Sequence, residues 1–200
     1  MILLIGSTCS GKSTVAKELE YLGYKRIIEV TTRQPRPGEQ NGVDYWFKTN
    51  EEFDELEQQD KLLGITKFKK YEKDKLNVVR YGILKEDIIN ADKQSVLTTN
   101  IAASLDLKQF DNQNNHTYNI FLVCLQVDPE EQMKRLINRG GDSPEEFKIR
   151  IKSDTEKLKD VEEWVNYITD NSYALPMYTA FHIAQAYAEY TDNIKECFAE

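Results

Sequence analysis

The residues Gly6-Ser7-Thr8-Cys9-Ser10-Gly11-Lys12-Ser13 fit the spacing G-x-x-x-x-G-K-[ST]. Glycines at the two fixed positions let the backbone curl so that successive N–H groups point inward, where they can surround phosphate oxygens. A helix beginning at the same place adds the positive end of its dipole. Lys12 has the reach to meet β- and γ-phosphates, and the Ser13 hydroxyl is an oxygen donor for Mg²⁺. Gly6, Ser7, Thr8, Cys9, Ser10, Gly11, Lys12, Ser13 and Thr14 are therefore the candidate triphosphate cradle. The alternative is an idle strand–turn–helix. The setting argues for the cradle: an apolar run, Ile2 to Ile5, precedes the loop, and Val15, Ala16 and Leu19 recur at helical spacing after it. A GTPase switch needs an N-K-x-D run, which the chain lacks, and a motor ATPase needs an acid ending a strand, where this chain has Thr98-Thr99-Asn100. A small-molecule kinase suits the motif best.

A second anion-binding segment follows. Thr31-Thr32-Arg33-Gln34-Pro35-Arg36-Pro37-Gly38-Glu39 sets two arginines between prolines that restrict the backbone. A planar guanidinium grips phosphate through two parallel hydrogen bonds, and Tyr45 adds a neutral hydroxyl donor. A charged surface loop is the plainer alternative.

These residues need a scaffold, and the rest of the chain supplies one. It has 200 residues, 40% hydrophobic and 30% charged, enough for one domain with a sizeable core. The net charge of −8 argues against broad binding to nucleic acid or anionic membranes. No apolar run reaches membrane-spanning length, and MILLI is too short for a signal-peptide core. Cys9, Cys124 and Cys197 lack metal-ligand spacing and read as reduced thiols, which fits a cytoplasmic protein. Strands are expected at Ile2–Ile5, Arg26–Val30, Ser95–Thr99, Asn119–Val127 and Tyr167–Thr169. Helices are expected at Ser13–Tyr21, Glu51–Leu63 with Asn50 as its cap, Lys85–Ala91, Asp128–Asn138, Phe147–Lys159 and from Leu175 onward. Residues 67–80, with six basic side chains against two acids, read as a solvated hairpin or loop. Alternating strands and helices imply an α/β fold, a parallel sheet with helices on both faces. His116 and His182 read as loop and surface or packing residues; Tyr173, Tyr178, Phe181, Tyr187 and Tyr190 read as core.

TTRQPRPGEQNGVDYWF fills every fixed position of T-T-R-x-P-R-x-G-E-x-x-G-x-D-Y-x-F, so the chain resembles the guanylate kinase family of P-loop nucleoside monophosphate kinases. Tyr81-Gly82, Arg135-Leu136, Arg139-Gly140 and Arg150 extend the likeness over roughly residues 1–170. The resemblance implies that Arg33, Arg36, Tyr45 and Tyr81 hold the acceptor monophosphate. It implies that Lys12, Arg36, Arg135, Arg139 and Arg150 serve transfer, the last three from a lid and its hinge, with ATP and Mg²⁺ bound at the loop. It divides one domain into a core (about 1–32, 93–135 and 153–200), a monophosphate-binding piece (about 33–92) and a lid (about 136–152). The implied reaction moves the γ-phosphoryl group of ATP to GMP or dGMP, in a monomer or homodimer.

The chain departs from the family where the base is read. Glu29 stands for a serine, Gly64 for a glutamate, Ile83 for a serine, and Thr98, Thr99 and Asn100 for acids; Glu29, Glu72 or Asp74 are possible substitutes. These departures keep open a kinase of the same fold with another acceptor, and a non-catalytic binding module is the third reading.

Overall fold

The computed structural model describes residues 1–72, 75–139 and 144–197, without the side chains of 70–72, 75–76, 144–147, 149–150 and 194–197. In chain order the elements begin β1 (Ile2–Gly6), α1 (Lys12–Tyr21), β2 (Lys25–Ile27), β3 (Val30–Thr31), β4 (Trp46–Phe47), α2 (Asn50–Gln58), β5 (Leu62–Glu72) and β6 (Lys75–Leu84). They continue α3 (Lys85–Ile89), β7 (Ser95–Thr98), α4 (Ile101–Gln113), β8 (Phe121–Gln126), α5 (Pro129–Arg139), α6 (Pro144–Lys157), β9 (Tyr167–Asp170) and α7 (Pro176–Cys197), with a 3₁₀ turn at Val161–Glu163. The chain forms two compact units, Met1–Arg26 with Gln94–Ile101 and Ile120–Glu200, and Ile27–Lys93 with Ala102–Asn119.

The first unit holds a five-stranded sheet in the order β2-β7-β1-β8-β9. β1 is parallel to β7 and β8, with Ile2 opposite both Val96 and Phe121, and β9 runs parallel to β8. A strand hydrogen-bonded on both edges and covered on its faces has no solvent side, which is why Ile2–Ile5 reads as an unbroken apolar run. One core cluster joins Ile2, Leu4, Val15, Leu19, Val123, Leu125, Ala180, Ile183 and Tyr187. Each large aliphatic side chain buried there contributes about 2 kcal/mol. The Met1 α-amino group donates to the buried Tyr187 hydroxyl (2.9 Å), fixing α7 to the start of β1.

The second unit holds a four-stranded sheet, β4-β3-β6-β5. β5 and β6 form an antiparallel hairpin over the basic stretch, with residues 73–74 outside the described set. Phe53, Val30 and Leu62 form its core cluster. Arg80 lies over the Phe53 ring (4.5 Å), pairs with Asp54 and donates to the Asn50 carbonyl (2.6 Å). That buried guanidinium ties β6 to α2.

Several expectations are corrected. The strand expected over Arg26–Val30 is two strands, β2 in one sheet and β3 in the other. α2 is capped by Thr49, whose hydroxyl accepts from the Glu52 amide (3.2 Å) while Glu52 accepts from the Thr49 amide (2.8 Å). It stops at Gln58, and Leu62–Leu63 belong to β5. α4 was not expected at all. Its buried face is Ala103, Ser104, Leu107 and Asp111, so three of the four are small or polar and leave no apolar stripe to read. Of the C-terminal aromatics, Tyr187 and Tyr190 join the core, whereas Tyr173, Tyr178 and Phe181 are exposed. Gly140 and Gly141, the expected lid tip, lie outside the described residues.

Gly64 has φ +59°, and a Cβ there would stand 2.8 Å from the Ala103 Cβ. β5 shifts register between Leu63 and Thr66 to let α4 approach this closely. Gly64→Ala should therefore cost stability through both strain and overpacking, about 2–4 kcal/mol. A lowered urea midpoint with an unchanged slope is the expected result; an unchanged midpoint would mean the helix yields freely.

Candidate functional site

The candidate residues fall into two groups, one in each unit. In the first, the loop between β1 and α1 turns through positive φ at Gly6 (+146°), Cys9 (+60°) and Gly11 (+94°). A Cβ on Gly6 would meet the Leu125 carbonyl oxygen at 2.3 Å, and one on Gly11 would meet Asn171 Nδ2 at 2.3 Å, so both positions need glycine. No side chain caps α1, and its first turn carries no acid. The positive end of the helix is thus left for an anion.

The loop's carbonyls are all held. Lys12 Nζ donates to the Gly6 and Ser7 carbonyls (2.8 and 2.9 Å). Gln132 Nε2 donates to the Thr8 carbonyl (2.8 Å), Arg135 Nη1 to that of Cys9 (3.4 Å) and Asn171 Nδ2 to that of Ser10 (2.7 Å). Asn171 is itself buried and accepts from the Thr179 hydroxyl (2.8 Å), so its amide plane is fixed. The Thr8 amide donates to Asp154 Oδ2 of α6 at 2.6 Å.

Arg135 and Arg139, four apart on α5, both reach this loop. Arg135 also donates to the Asn171 and Ser172 carbonyls (2.8 and 2.6 Å) and pairs with Glu131, so most of its guanidinium is bound to protein. Arg139 is exposed, with Nη1 3.5 Å from Cys9 Sγ. The side chain of Arg150 lies outside the described ones. Ser13 is exposed at the start of α1. Its hydroxyl is an oxygen donor of the kind a hard divalent cation takes. Burial, opposed by the Lys12 charge, pushes the Cys124 thiol up to about 11, which leaves it unreactive. Gln132, Asn171 and Asp154 were not among the sequence candidates.

In the second unit, local hydrogen bonds order the segment that carries Arg33 and Arg36. Thr32 pairs with Arg80 of β6 through its amide (3.0 Å) and hydroxyl (2.9 Å), and the Thr31 hydroxyl accepts from the Arg33 amide (3.1 Å). Arg33 Nη1 and Nη2 donate to the two Glu39 oxygens (2.8 and 3.0 Å), and the Arg36 amide donates to Glu39 as well (2.8 Å). Arg33 also lies over the rings of Tyr45 (5.1 Å) and Phe47 (5.6 Å). Tyr81 meets Tyr45 edge-on at 6.0 Å. Arg33, Tyr45 and Tyr81 are therefore one cluster, and Glu39 links Arg36 to it at 3.6 Å. Burial and then the Glu29 charge push the Tyr45 hydroxyl above its ordinary range, so it stays a neutral donor.

Three departures from the family pattern also take their places here. Glu29 is buried, Ile83 is fully buried inside β6, and Gly64 faces Ala103 with no room for a side chain. The side chain of Glu72 and the whole of Asp74 lie outside the described residues.

Burial alone would raise the Glu39 carboxyl; the bonds from Arg33 and the Arg36 amide outweigh it and hold the pKa below 4.5. The folded value is depressed, so the stabilisation is present above 4.5 and is lost as pH falls through the folded pKa. Glu39→Gln should reduce stability at pH 7 and flatten the loss seen on acidification below 4.5. Urea midpoints against pH check this; parallel curves for the two proteins would sink it.

The family model described as guanylate kinase matches residues 1–177. The guanylate kinase of Mycoplasma mobile is 33% identical over 180 residues, covering 86% of this chain and 85% of its own. That of Desulfitobacterium hafniense is 30% identical over 174 residues, covering 86% and 81%. The crystal structure of guanylate kinase from Anaplasma phagocytophilum superposes with a TM-score of 0.65 at 22% identity, over 94% of this chain and 85% of that one. Shikimate kinase from Bacteroides thetaiotaomicron shares the fold more distantly, with a TM-score of 0.53 at 18% identity. With its loop, its clamp motif and a family match running through both units, the chain belongs to the guanylate kinase family.

Proposed function

We propose that the protein is an ATP-dependent nucleoside monophosphate kinase that transfers the γ-phosphoryl group of ATP to GMP or dGMP, giving ADP and the diphosphate. The observation that carries this reading is the completeness of the loop: its five carbonyls from Gly6 to Ser10 are tied back, which turns its amides toward a phosphate chain. An oxygen of the acceptor phosphate attacks the γ-phosphorus, and the bond from that phosphorus to the β–γ bridging oxygen breaks. The protein's work is positioning and charge stabilisation.

Lys12, whose ammonium carries three donors, reaches from the Gly6 and Ser7 carbonyls toward the β- and γ-phosphate oxygens. Gly6 to Thr14 cradle the triphosphate. Arg33, Arg36, Tyr45 and Tyr81 hold the acceptor phosphate, with Glu39 fixing the two arginines. Arg139 and Arg150 neutralise charge on the migrating group, while Arg135 shapes the loop. Ser13 would hold Mg²⁺, which would neutralise phosphate charge. In this assignment residues about 33–92 are the monophosphate-binding piece, about 136–152 the lid, and about 1–32, 93–135 and 153–200 the core. The net charge of −8 suits a small-molecule partner rather than nucleic acid, in a monomer or homodimer. No described helix is long and apolar enough to cross a membrane, and the cytoplasm suits the family.

A second reading, the same chemistry on another monophosphate, is favoured by Gly64 and Ile83, which offer a base no polar side chain. One assay separates the two. ADP release is measured against a panel of nucleoside monophosphates, with GMP or dGMP expected to lead; a flat profile or another leader favours the second reading. Lys12→Ala should lower turnover by at least about 10²-fold, and Arg36→Ala should raise the acceptor KM by about 10-fold or more with ATP binding intact. Full activity in both variants would refute transfer.

A further inference from the structure

We propose that Asp154 is a resident anion of the nucleotide loop, a carboxylate that ATP must displace in order to bind. The inference rests on the loop being an ATP site, as proposed above. The Thr8 amide, in the middle of Gly6–Ser13, donates to Asp154 Oδ2 at 2.6 Å across 146 residues of sequence. Thr8's carbonyl is taken by Gln132 (2.8 Å), so both backbone polar groups of this residue are engaged, one by a neutral side chain and one by an anion. A carboxylate oxygen is the nearest protein equivalent of a phosphate oxygen: anionic, an acceptor, and bound by N–H groups at short range.

An N–H donates one hydrogen, so carboxylate and phosphate cannot both receive it. A triphosphate in the loop would also bring several negative charges against Asp154, which the loop's own helix avoids by having no acid in its first turn. The contact is therefore mutually exclusive with full engagement of the loop. Because Asp154 belongs to α6, which spans Pro144–Lys157 and carries Arg150, displacement of the carboxylate removes this tie between the helix and the loop. ATP binding and α6 are thereby linked through this hydrogen bond.

Calorimetric titration of the whole chain tests this with three probes, Mg·ATP, inorganic tripolyphosphate and adenosine, on wild type, Asp154→Ala and Asp154→Asn. Removing the competitor should tighten Mg·ATP and tripolyphosphate about tenfold in Asp154→Ala, with adenosine unchanged. Asp154→Asn keeps an acceptor of the same size without the charge and should tighten both by a smaller factor. It also decides the matter should the alanine variant fail to fold. If wild type binds Mg·ATP and neither variant binds it more tightly, this inference falls and the kinase reading stands. If no form binds Mg·ATP or tripolyphosphate, both fall together. A gain for adenosine equal to that for ATP would also overturn it, because the carboxylate would then act away from the phosphates.

Discussion

A loop can present its amides to an anion only if its carbonyls are satisfied elsewhere. Each peptide unit points N–H and C=O in opposite directions, so five residues that turn their donors one way turn five acceptors the other. Left unpaired and buried, each would cost about 1–3 kcal/mol, a sum comparable with the whole stability of an ordinary domain. Here the debt is met by Lys12 for Gly6 and Ser7, and by Gln132, Arg135 and Asn171 for Thr8, Cys9 and Ser10. The last three come from α5 and the end of β9, so the nucleotide loop is shaped by elements far from it in sequence. Arg135 illustrates the consequence. Its guanidinium holds three backbone carbonyls together, those of Cys9, Asn171 and Ser172, and this makes it a positioning group for the loop before it is anything else.

The second unit solves the opposite problem. There the candidate groups are flexible side chains rather than fixed amides, and flexibility is costly, because ordering a long arginine forfeits about 2 kcal/mol of rotamer freedom. Arg33 is ordered in advance by aromatic faces on Tyr45 and Phe47 and by both oxygens of Glu39. The threonines that precede it are bonded to Arg80, and Arg80 is in turn buried against Phe53 and α2. A chain of contacts thus runs from the clamp to the small core of its own unit.

How much of this could be read from the sequence depended on range. β1 and β8 announce themselves because a strand enclosed on both faces is apolar throughout, and the loop and clamp announce themselves because their spacing is local and chemically constrained. α4 was illegible, since Ser104 and Asp111 occupy half of its buried face. The division of Arg26–Val30 between two sheets was illegible too, because β-propensity says nothing about which sheet a strand joins. The missing site residues fail for the same reason. Gln132, Asn171 and Asp154 meet the loop across 124, 161 and 146 residues, and nothing in their neighbours' identity marks them. Asn171, which sits in an ordinary polar run after β9, is recognisable only once Gly11 is seen pressed against it.

In each unit a carboxylate accepts from the backbone of the candidate segment, Glu39 from Arg36 and Asp154 from Thr8, and the two differ in how firmly they are held. Glu39 receives three hydrogen bonds from within six residues, two of them from one guanidinium, and its carboxyl is held below the ordinary range. Bonds that short in sequence close with little loss of chain entropy, and three together hold the carboxylate firmly. Asp154 receives one amide from a distant loop. A single bond of that kind is of the same order as the hydrogen bond a phosphate oxygen makes to the same donor, so the two acceptors can exchange without a large barrier from lost contacts. By this reckoning Glu39 is firmly fixed within its own loop, while Asp154 is held to the β1–α1 loop by a contact that a competing acceptor could replace. The distinction follows from counting donors, and it assigns opposite behaviour to two residues of nearly the same chemistry.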